Sequence, residues 1–338
     1  MLASICVPSY NRPELLSKLL RSVDCNPDDI EIVVCEDHAP RRLDVSAVVQ
    51  QFRDSSPIRV RYSENETNLG YDANLRKTIE LATGDFIVFM GDDDWFHPRQ
   101  LTKYLDFLRE SGNVGYVLRS YYSVHPDGAL ERFCYLPKAK AFQPGLDTAA
   151  WMFKRSVCIS GVTFRRESVQ KLATDHFDGT LLYQVYLALE VTYGERSVYC
   201  DIPAAVARQS FRDDIPAFGH AAKEKGRYEP GSVTVQNSIN FTKSYFEVSE
   251  AFDVRHGTDL TSRIRVDLSK YAYPFLSIQR KRGWLPFWRY ARRLAAETRL
   301  NATWHYNFYV LALLLLGERV CDKSIVLMKR ILGHTPSL

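Results

Sequence analysis

Apolar and polar positions alternate in blocks along the first hundred residues. Residues 3–7 form a short apolar run that stops at Pro8, and residues 13–23 then carry leucines at 15, 16, 19 and 20, the spacing of one helical face. A second run rich in Ile and Val, residues 30–35, ends at Glu36-Asp37. Residues 43–52 read as helix, 58–62 as strand, 72–82 as helix, and 86–90 as a fourth apolar run before Gly91. Strands alternating with helices predict a mostly parallel, doubly wound sheet, whose ligand crevice lies at the carboxyl ends of the strands. The polar residues of greatest chemical interest stand at those ends: Pro8 to Arg12, Glu36-Asp37-His38, and Asp92-Asp93-Asp94.

Beyond residue 110 the pattern predicts further strands at 116–122 and 130–135 around the turn Pro126-Asp127-Gly128. From residue 232 onward it is helical throughout. Helices are expected at 233–252, 260–278, 285–298, 302–316 and 320–332, punctuated by Pro274, Gly283, Pro286 and Gly317. Two domains follow, an α/β domain at 1–231 and a helical region at 232–338. The most apolar stretch, 304–316, is short of the roughly 20 residues a spanning helix needs, which leaves a buried or interfacial helix.

Composition excludes disorder and small disulfide scaffolds: the 338 residues are 46% hydrophobic and 25% charged. Seven cysteines without a Cys-x-x-Cys pair read as buried free thiols in a reducing compartment, so a cytoplasmic protein is expected. The net charge of +4 gives no reason to expect nucleic acid. That average conceals an asymmetry. From residue 255 there are 15 Lys and Arg against 5 Asp and Glu, while the first 254 residues carry 29 against 35.

Three consecutive carboxylates after a buried strand raise one another's pKa unless a cation sits among them. Oxygen ligands suit Mg²⁺ or Mn²⁺, ions that commonly bridge carboxylates to a diphosphate; a solvated acidic turn is the competing reading.

VPSYNRP at 7–13, Glu36-Asp37, NLGYDANL at 68–75 and GDFIVFMGDDDW at 84–95 resemble, in order and spacing, the motifs of family 2 glycosyltransferases of the GT-A fold. The resemblance covers roughly residues 1–210. It implies a Rossmann-like, mostly parallel sheet flanked by helices, and inverting, metal-assisted sugar transfer from a nucleotide diphosphate, UDP-sugars favoured. It further implies that Pro8, Tyr10 and Arg12 line the nucleoside pocket and that Asp37 accepts a hydrogen bond from the base. Asn68, Gly70 and Asn74 would close over the nucleotide, Asp92 would approach the ribose, and Asp92, Asp93 and Asp94 would hold the metal. Gly91 stands where the family commonly has the first Asp, so the register of the cluster is open.

An inverting transfer needs a base. The family's acidic pair before a helix corresponds to the stretch DHFDGTLLYQVYLALEV, where Gln184 stands near the expected carboxylate, and an amide is no base. Asp178 is the nearest substitute, then Asp213 and Asp214, with His176 and His220 as further options. Arg212, His220, Lys223 and Lys225 fall in a segment expected to act as a lid over the diphosphate. A non-catalytic sugar-binding module is the alternative that Gln184 suggests. A nucleotidyltransferase is disfavoured because VPSYNRP has no glycine.

In the C-terminal region Arg280-Lys281-Arg282 precedes Trp284 and Trp288. Cations interleaved with aromatics suit a peripheral helix on an anionic membrane face, where a glycan or lipid-linked acceptor would be met. Self-association through these helices would use the same residues.

Overall fold

The computed structural model describes residues 1–125, 128–208 and 217–332. Each apolar run of the first hundred residues is a strand and each amphipathic stretch a helix. In chain order these are β1 (Ala3–Ser9), α1 (Pro13–Arg21), β2 (Ile30–Glu36), α2 (Arg42–Ser55), β3 (Arg59–Glu64), α3 (Tyr71–Leu81) and β4 (Phe86–Phe89). Then follow β5 (Trp95–Phe96), α4 (Gln100–Glu110), β6 (Tyr116–Val124), β7 (Leu130–Phe133), β8 (Lys140–Phe142), α5 (Leu146–Phe153), β9 (Thr163–Arg165), α6 (Arg166–Gln170), α7 (Tyr183–Gly194) and β10 (Ser197–Arg208).

One sheet runs in the order β3-β2-β1-β4-β9-β6-β10-β5, with β7 on β6 and β8 on β10. Strands β1 to β4 are parallel, while β9 enters antiparallel between β4 and β6. Both faces of the parallel half are covered, so β1, β2 and β4 are apolar without alternation. Gly84 permits a close chain crossing: a Cβ there would lie 2.5 Å from the Ala3 carbonyl carbon. The resulting α/β architecture puts the ends of β1, β2 and β4 side by side.

The chain divides into two compact units, Met1–Gly226 and Arg227–Leu338. The second is all helical: α8 (Val235–His256), α9 (Leu260–Lys270), α10 (Tyr273–Ser277), α11 (Trp284–Thr298) and α12 (Trp304–Leu332). The helix expected at 260–278 breaks before Tyr273 because Pro274 has no N–H for a continuing turn. Gly317, at φ 74°, interrupts α12 where two helices were expected.

The basic triplet is tied to neighbouring groups, although Lys281 and Arg282 stay exposed. Arg280 donates from Nε to the Leu313 carbonyl at 2.7 Å, Lys281 pairs with Glu318 at 3.2 Å, and Arg282 reaches the Val233 carbonyl. Trp284 and Trp288 are exposed, as are Trp304, Phe308, Leu311 and Leu315, which share one side of α12; Leu315 is 74% exposed. Among the described residues no helix is long and apolar enough to cross a membrane.

Candidate functional site

The turn after β1 and the loop after β4 meet because the two strands are hydrogen-bonded neighbours. The Tyr10 N–H donates to Asp92 Oδ2 at 2.9 Å. Arg12 Nη1 donates to Asp92 Oδ1 and to Asp93 Oδ2, both at 3.0 Å. A single guanidinium thus bridges two of the three consecutive carboxylates. Arg12, expected to line the nucleoside pocket, supplies much of the positive charge that the cluster requires. Pro8 lies in β1 itself, in register with Cys35.

Asp37, just past β2, orders the next loop. Its Oδ1 accepts from Asn65 Nδ2 at 2.9 Å and the Leu69 N–H at 2.8 Å, and its Oδ2 from the Gly70 N–H at 2.8 Å. A carboxylate has about four acceptor sites. Three are engaged within the protein, which leaves room for one donor from a ligand. Burial raises the pKa of Asp37, and these donors oppose the rise.

Asn68 Oδ1 also accepts from the Gly70 N–H, at 3.1 Å. Both ends of the Asn74 amide are engaged within the protein: Nδ2 donates to the Cys35 carbonyl and Oδ1 accepts from Asn65. It anchors α3 to β2.

Asp92, Asp93 and Asp94 do not converge on one point. Asp92 faces Arg12 and Tyr10, whereas Asp94 accepts from the Ser160 hydroxyl through Oδ2 and from the Arg208 N–H through Oδ1 at 2.6 Å. Desolvation raises the pKa of both buried carboxylates, more than the neighbouring donors lower it.

The fit to a divalent cation is therefore narrower than three ligands. A Cβ on Gly91 would stand 3.1 Å from Asp93 Oδ1, 3.3 Å from Asp94 Oδ2 and 3.4 Å from Ser160 Oγ. The missing side chain leaves a cradle bordered by oxygens from Asp93 and Asp94. Among the described residues no group of three or more His, Cys, Asp or Glu could hold a metal. Two carboxylates suit Mg²⁺ or Mn²⁺, which usually take their other ligands from water and substrate phosphate.

A buried carboxylate missed in the sequence closes the site from the far side. Glu224 Oε1 accepts from the Tyr71 N–H at 3.0 Å, at the start of α3, and Oε2 from the Gly219 N–H at 2.6 Å. Its Oε1 would lie 2.8 Å from a Cβ on Gly70, whose φ of +90° independently favours glycine. The same segment carries His220, whose ring lies 5.7 Å from that of Tyr10. Lys223 and Lys225 are exposed. Arg212, Asp213 and Asp214 lie outside the described residues.

The other candidates for the base have structural partners. Asp178 forms a two-pronged ion pair with Arg76, at 2.6 and 3.0 Å, so both oxygens are engaged rather than poised toward a hydroxyl. Gln184 is buried, accepting from the Tyr71 hydroxyl and donating to the Val157 carbonyl. His176 is exposed, its ring against Phe177. In sequence Asp72 marks only the start of the helix expected at 72–82. It is fully buried and accepts from the N–H groups of Gly179, Leu181 and Tyr183. Burial pushes its pKa up to about 7 against those donors.

The Glycosyl transferase family 2 profile matches residues 4–172, half of the chain and the span containing β1 to β9. The chain belongs to glycosyl transferase family 2. Over 95 residues it is 32% identical to the abequosyltransferase RfbV of Salmonella typhimurium, covering 28% of each protein. Over 116 residues it is 33% identical to a GalNAc(5)-diNAcBac-PP-undecaprenol beta-1,3-glucosyltransferase of Campylobacter jejuni, covering 33% of this chain and 35% of that one. These alignments thus span well under half of the relatives' lengths. The fold matches S. aureus TarS 1-349, solved with UDP-GlcNAc, at a TM-score of 0.56 and 14% identity, covering 96% of this chain and 92% of that one. The family 2 chain accordingly has the GT-A fold.

Proposed function

We propose that this family 2 protein transfers a sugar from a nucleotide-diphosphate donor, a UDP-sugar by preference, to a hydroxyl of a glycan or lipid-linked acceptor by direct displacement with inversion. The observation that carries the reading is the junction of Tyr10, Arg12 and the Asp92–Asp94 cluster beside the loop ordered by Asp37. In this proposal Tyr10, His220 and Asn68 border the nucleoside. Asp37 holds the loop and offers its remaining acceptor site to the base. Asp93 and Asp94 hold Mn²⁺ or Mg²⁺ together with the diphosphate. When bound, the ion would offset the charge that develops on the leaving diphosphate. Arg12 offsets part of the charge of Asp92 and Asp93 while the donor is absent.

The base is assigned to Asp213 or Asp214. Two residues near them in the chain touch the site, the Arg208 N–H donating to Asp94 and the Gly219 N–H to Glu224. The engagement of Asp178 and Gln184 favours a second reading, a sugar-nucleotide-binding module without turnover. The test is calorimetric titration with UDP, with and without Mn²⁺, followed by donor turnover in Asp93→Asn, Asp213→Asn and Asp214→Asn. Absence of UDP binding sinks both readings. Turnover indifferent to all three substitutions sinks the mechanism, and binding without any turnover leaves the module.

For the helical unit we propose peripheral attachment to an anionic membrane on the cytoplasmic face. Exposed Trp284 and Trp288, and the stripe Trp304, Phe308, Leu311 and Leu315, supply apolar contact, and exposed Arg289 and Arg292 supply charge. Sedimentation with phosphatidylglycerol vesicles should fall with salt and be lost in Phe308→Ser/Leu315→Ser. Unchanged sedimentation of that variant, with a concentration-dependent dimer in the wild type, would assign the stripe to self-association instead.

A further inference from the structure

No motif of the sequence marks Asn65, yet the loop ordered by Asp37 depends on it. Asn65 is the first residue past β3, and its N–H continues the β2–β3 ladder by donating to the Glu36 carbonyl at 2.9 Å. Its carbonyl meets His38 Nδ1 at 3.1 Å. The backbone is thus fixed beside Asp37, and the residue is only 7% exposed.

The side-chain amide is engaged at both ends. Nδ2 donates to Asp37 Oδ1 at 2.9 Å and to Asn74 Oδ1 at 3.0 Å, while Oδ1 accepts from the Cys35 thiol at 3.6 Å. An amide NH₂ has two donors, so both are used. Turning the amide over would set its oxygen against two acceptors, Asp37 and Asn74. Asn74 cannot turn to relieve this, because its own Nδ2 donates to the Cys35 carbonyl at 3.0 Å. One orientation of Asn65 survives, and it aims a donor at Asp37.

The donors are divided unevenly over the Asp37 carboxylate. Oδ1 accepts from Asn65 and from the Leu69 N–H, whereas Oδ2 accepts from the Gly70 N–H. Each carboxylate oxygen has about two acceptor sites. With Asn65 in place Oδ1 is full, and the remaining site lies on Oδ2. Without Asn65 an open site returns to Oδ1, and the carboxylate loses the one side chain that donates to it among the described residues.

We propose that Asn65 is the positioning residue for nucleobase recognition: by filling Asp37 Oδ1 it presents Oδ2 as the single open acceptor for the ring N–H of a uracil. The inference rests on the donor reading above and turns it into a rule for the base. Uracil carries a donor at N3, and a methyl group there removes it. Cytosine and adenine have a lone pair on the corresponding ring nitrogen, which would face the carboxylate as a second acceptor.

The test is calorimetry of the full chain with UDP and with N3-methyluridine diphosphate, both in Mn²⁺. The ratio of the two Kd values reports the contact of the base with Asp37. A charged acceptor left unpaired costs roughly 10- to 100-fold in affinity, so the wild type should prefer UDP by about that factor. In Asn65→Ala the UDP Kd should rise and the ratio fall to about threefold or less, with the melting transition retained. Asn65→Ser, whose hydroxyl is too short to reach Asp37, carries the same measurement if the alanine variant does not fold. A merely structural Asn65 would weaken both nucleotides equally and keep the ratio, which overturns the assignment. Wild type that binds both nucleotides alike also overturns it, by removing the contact between base and Asp37, while the UDP binding itself leaves the donor reading standing. Failure of the wild type to bind UDP removes the donor reading first, and the role of Asn65 falls with it.

Discussion

Replacing Arg12 by alanine isolates what holds three adjacent carboxylates in place. The guanidinium makes two charge-assisted contacts at 3.0 Å, to Asp92 and Asp93. The side chain of Asp92 is almost wholly buried, so removing its partner would cost about 3–5 kcal/mol if the pair were fully inside. Arg12 and Asp93 are each about a quarter exposed, and solvent screens part of that, which leaves roughly 2–3 kcal/mol. At about 2–4 °C per kcal/mol for a unit of this size, Arg12→Ala should melt roughly 5–10 °C below wild type in EDTA.

A divalent cation in the Gly91 cradle would replace the missing charge. At a hundredfold excess over its Kd a ligand stabilises by about 2.7 kcal/mol, enough to restore the loss. Mn²⁺ should therefore raise the melting temperature of Arg12→Ala more than that of wild type, because the variant has no competing guanidinium. The assay is differential scanning calorimetry of both proteins across a Mn²⁺ series. Equal melting in EDTA would refute the bridging role of Arg12, and a Mn²⁺ response no larger in the variant would refute the shared site.

Three further outcomes follow from the geometry. Asp178→Asn should leave donor turnover within about threefold of wild type, while denaturant melts report a loss of roughly 2 kcal/mol from the broken pair with Arg76; abolished turnover would return Asp178 to the role of base. Glu224→Ala leaves the Tyr71 and Gly219 N–H groups without their acceptor, at about 1–2 kcal/mol, so the UDP Kd should rise roughly 5- to 30-fold by calorimetry; an unchanged Kd would separate that segment from donor binding. Asp72 has its pKa raised from the usual carboxylate range to about 7, so the folded state holds a proton that the unfolded chain releases near 4. Stability from this group is complete below about pH 4 and is lost as pH rises through 7, by up to about 1.4 kcal/mol per pH unit. The stability of wild type relative to Asp72→Asn should therefore decline from pH 4.5 to 7.5 in urea titrations; a flat difference would mean that the three N–H donors keep Asp72 ionised.

The strands and helices of the first hundred residues are legible because their signals are local. Apolar runs stopped by Pro8, Glu36 and Gly91 mark strand ends, and in a parallel sheet those ends share one rim. What spacing could not reveal is who compensates whom. Arg12 and Asp92 are 80 positions apart and meet only because β1 and β4 are neighbours. Asn74 looked like a ligand from its motif, yet its amide is engaged by Cys35 and Asn65. Glu224 had no signal beyond a lone acid in an Ala- and Lys-containing stretch, and its importance comes from the start of α3, far away in sequence. The strand β9 has three residues and β10 bends at an irregularity between Cys200 and Ala205, so neither presents a clean period-2 run. In the helical unit the basic triplet stood out by composition, whereas the exposed stripe of α12 became visible only once the buried side of that helix was known.

The antiparallel insertion of β9 also sets a clock on biosynthesis. The apolar edge of β4 is covered by pairing Val88 with Thr163, Ile87 with Phe164 and Phe86 with Arg165. A ribosome adding roughly 5–20 residues per second needs about 4–15 s to make the intervening chain. During that interval Phe-Ile-Val-Phe is an uncovered strand edge, the kind of template on which nascent chains pair with one another. In a fast-translating, crowded host the arrival of three residues in the middle of the chain is thus what closes this edge.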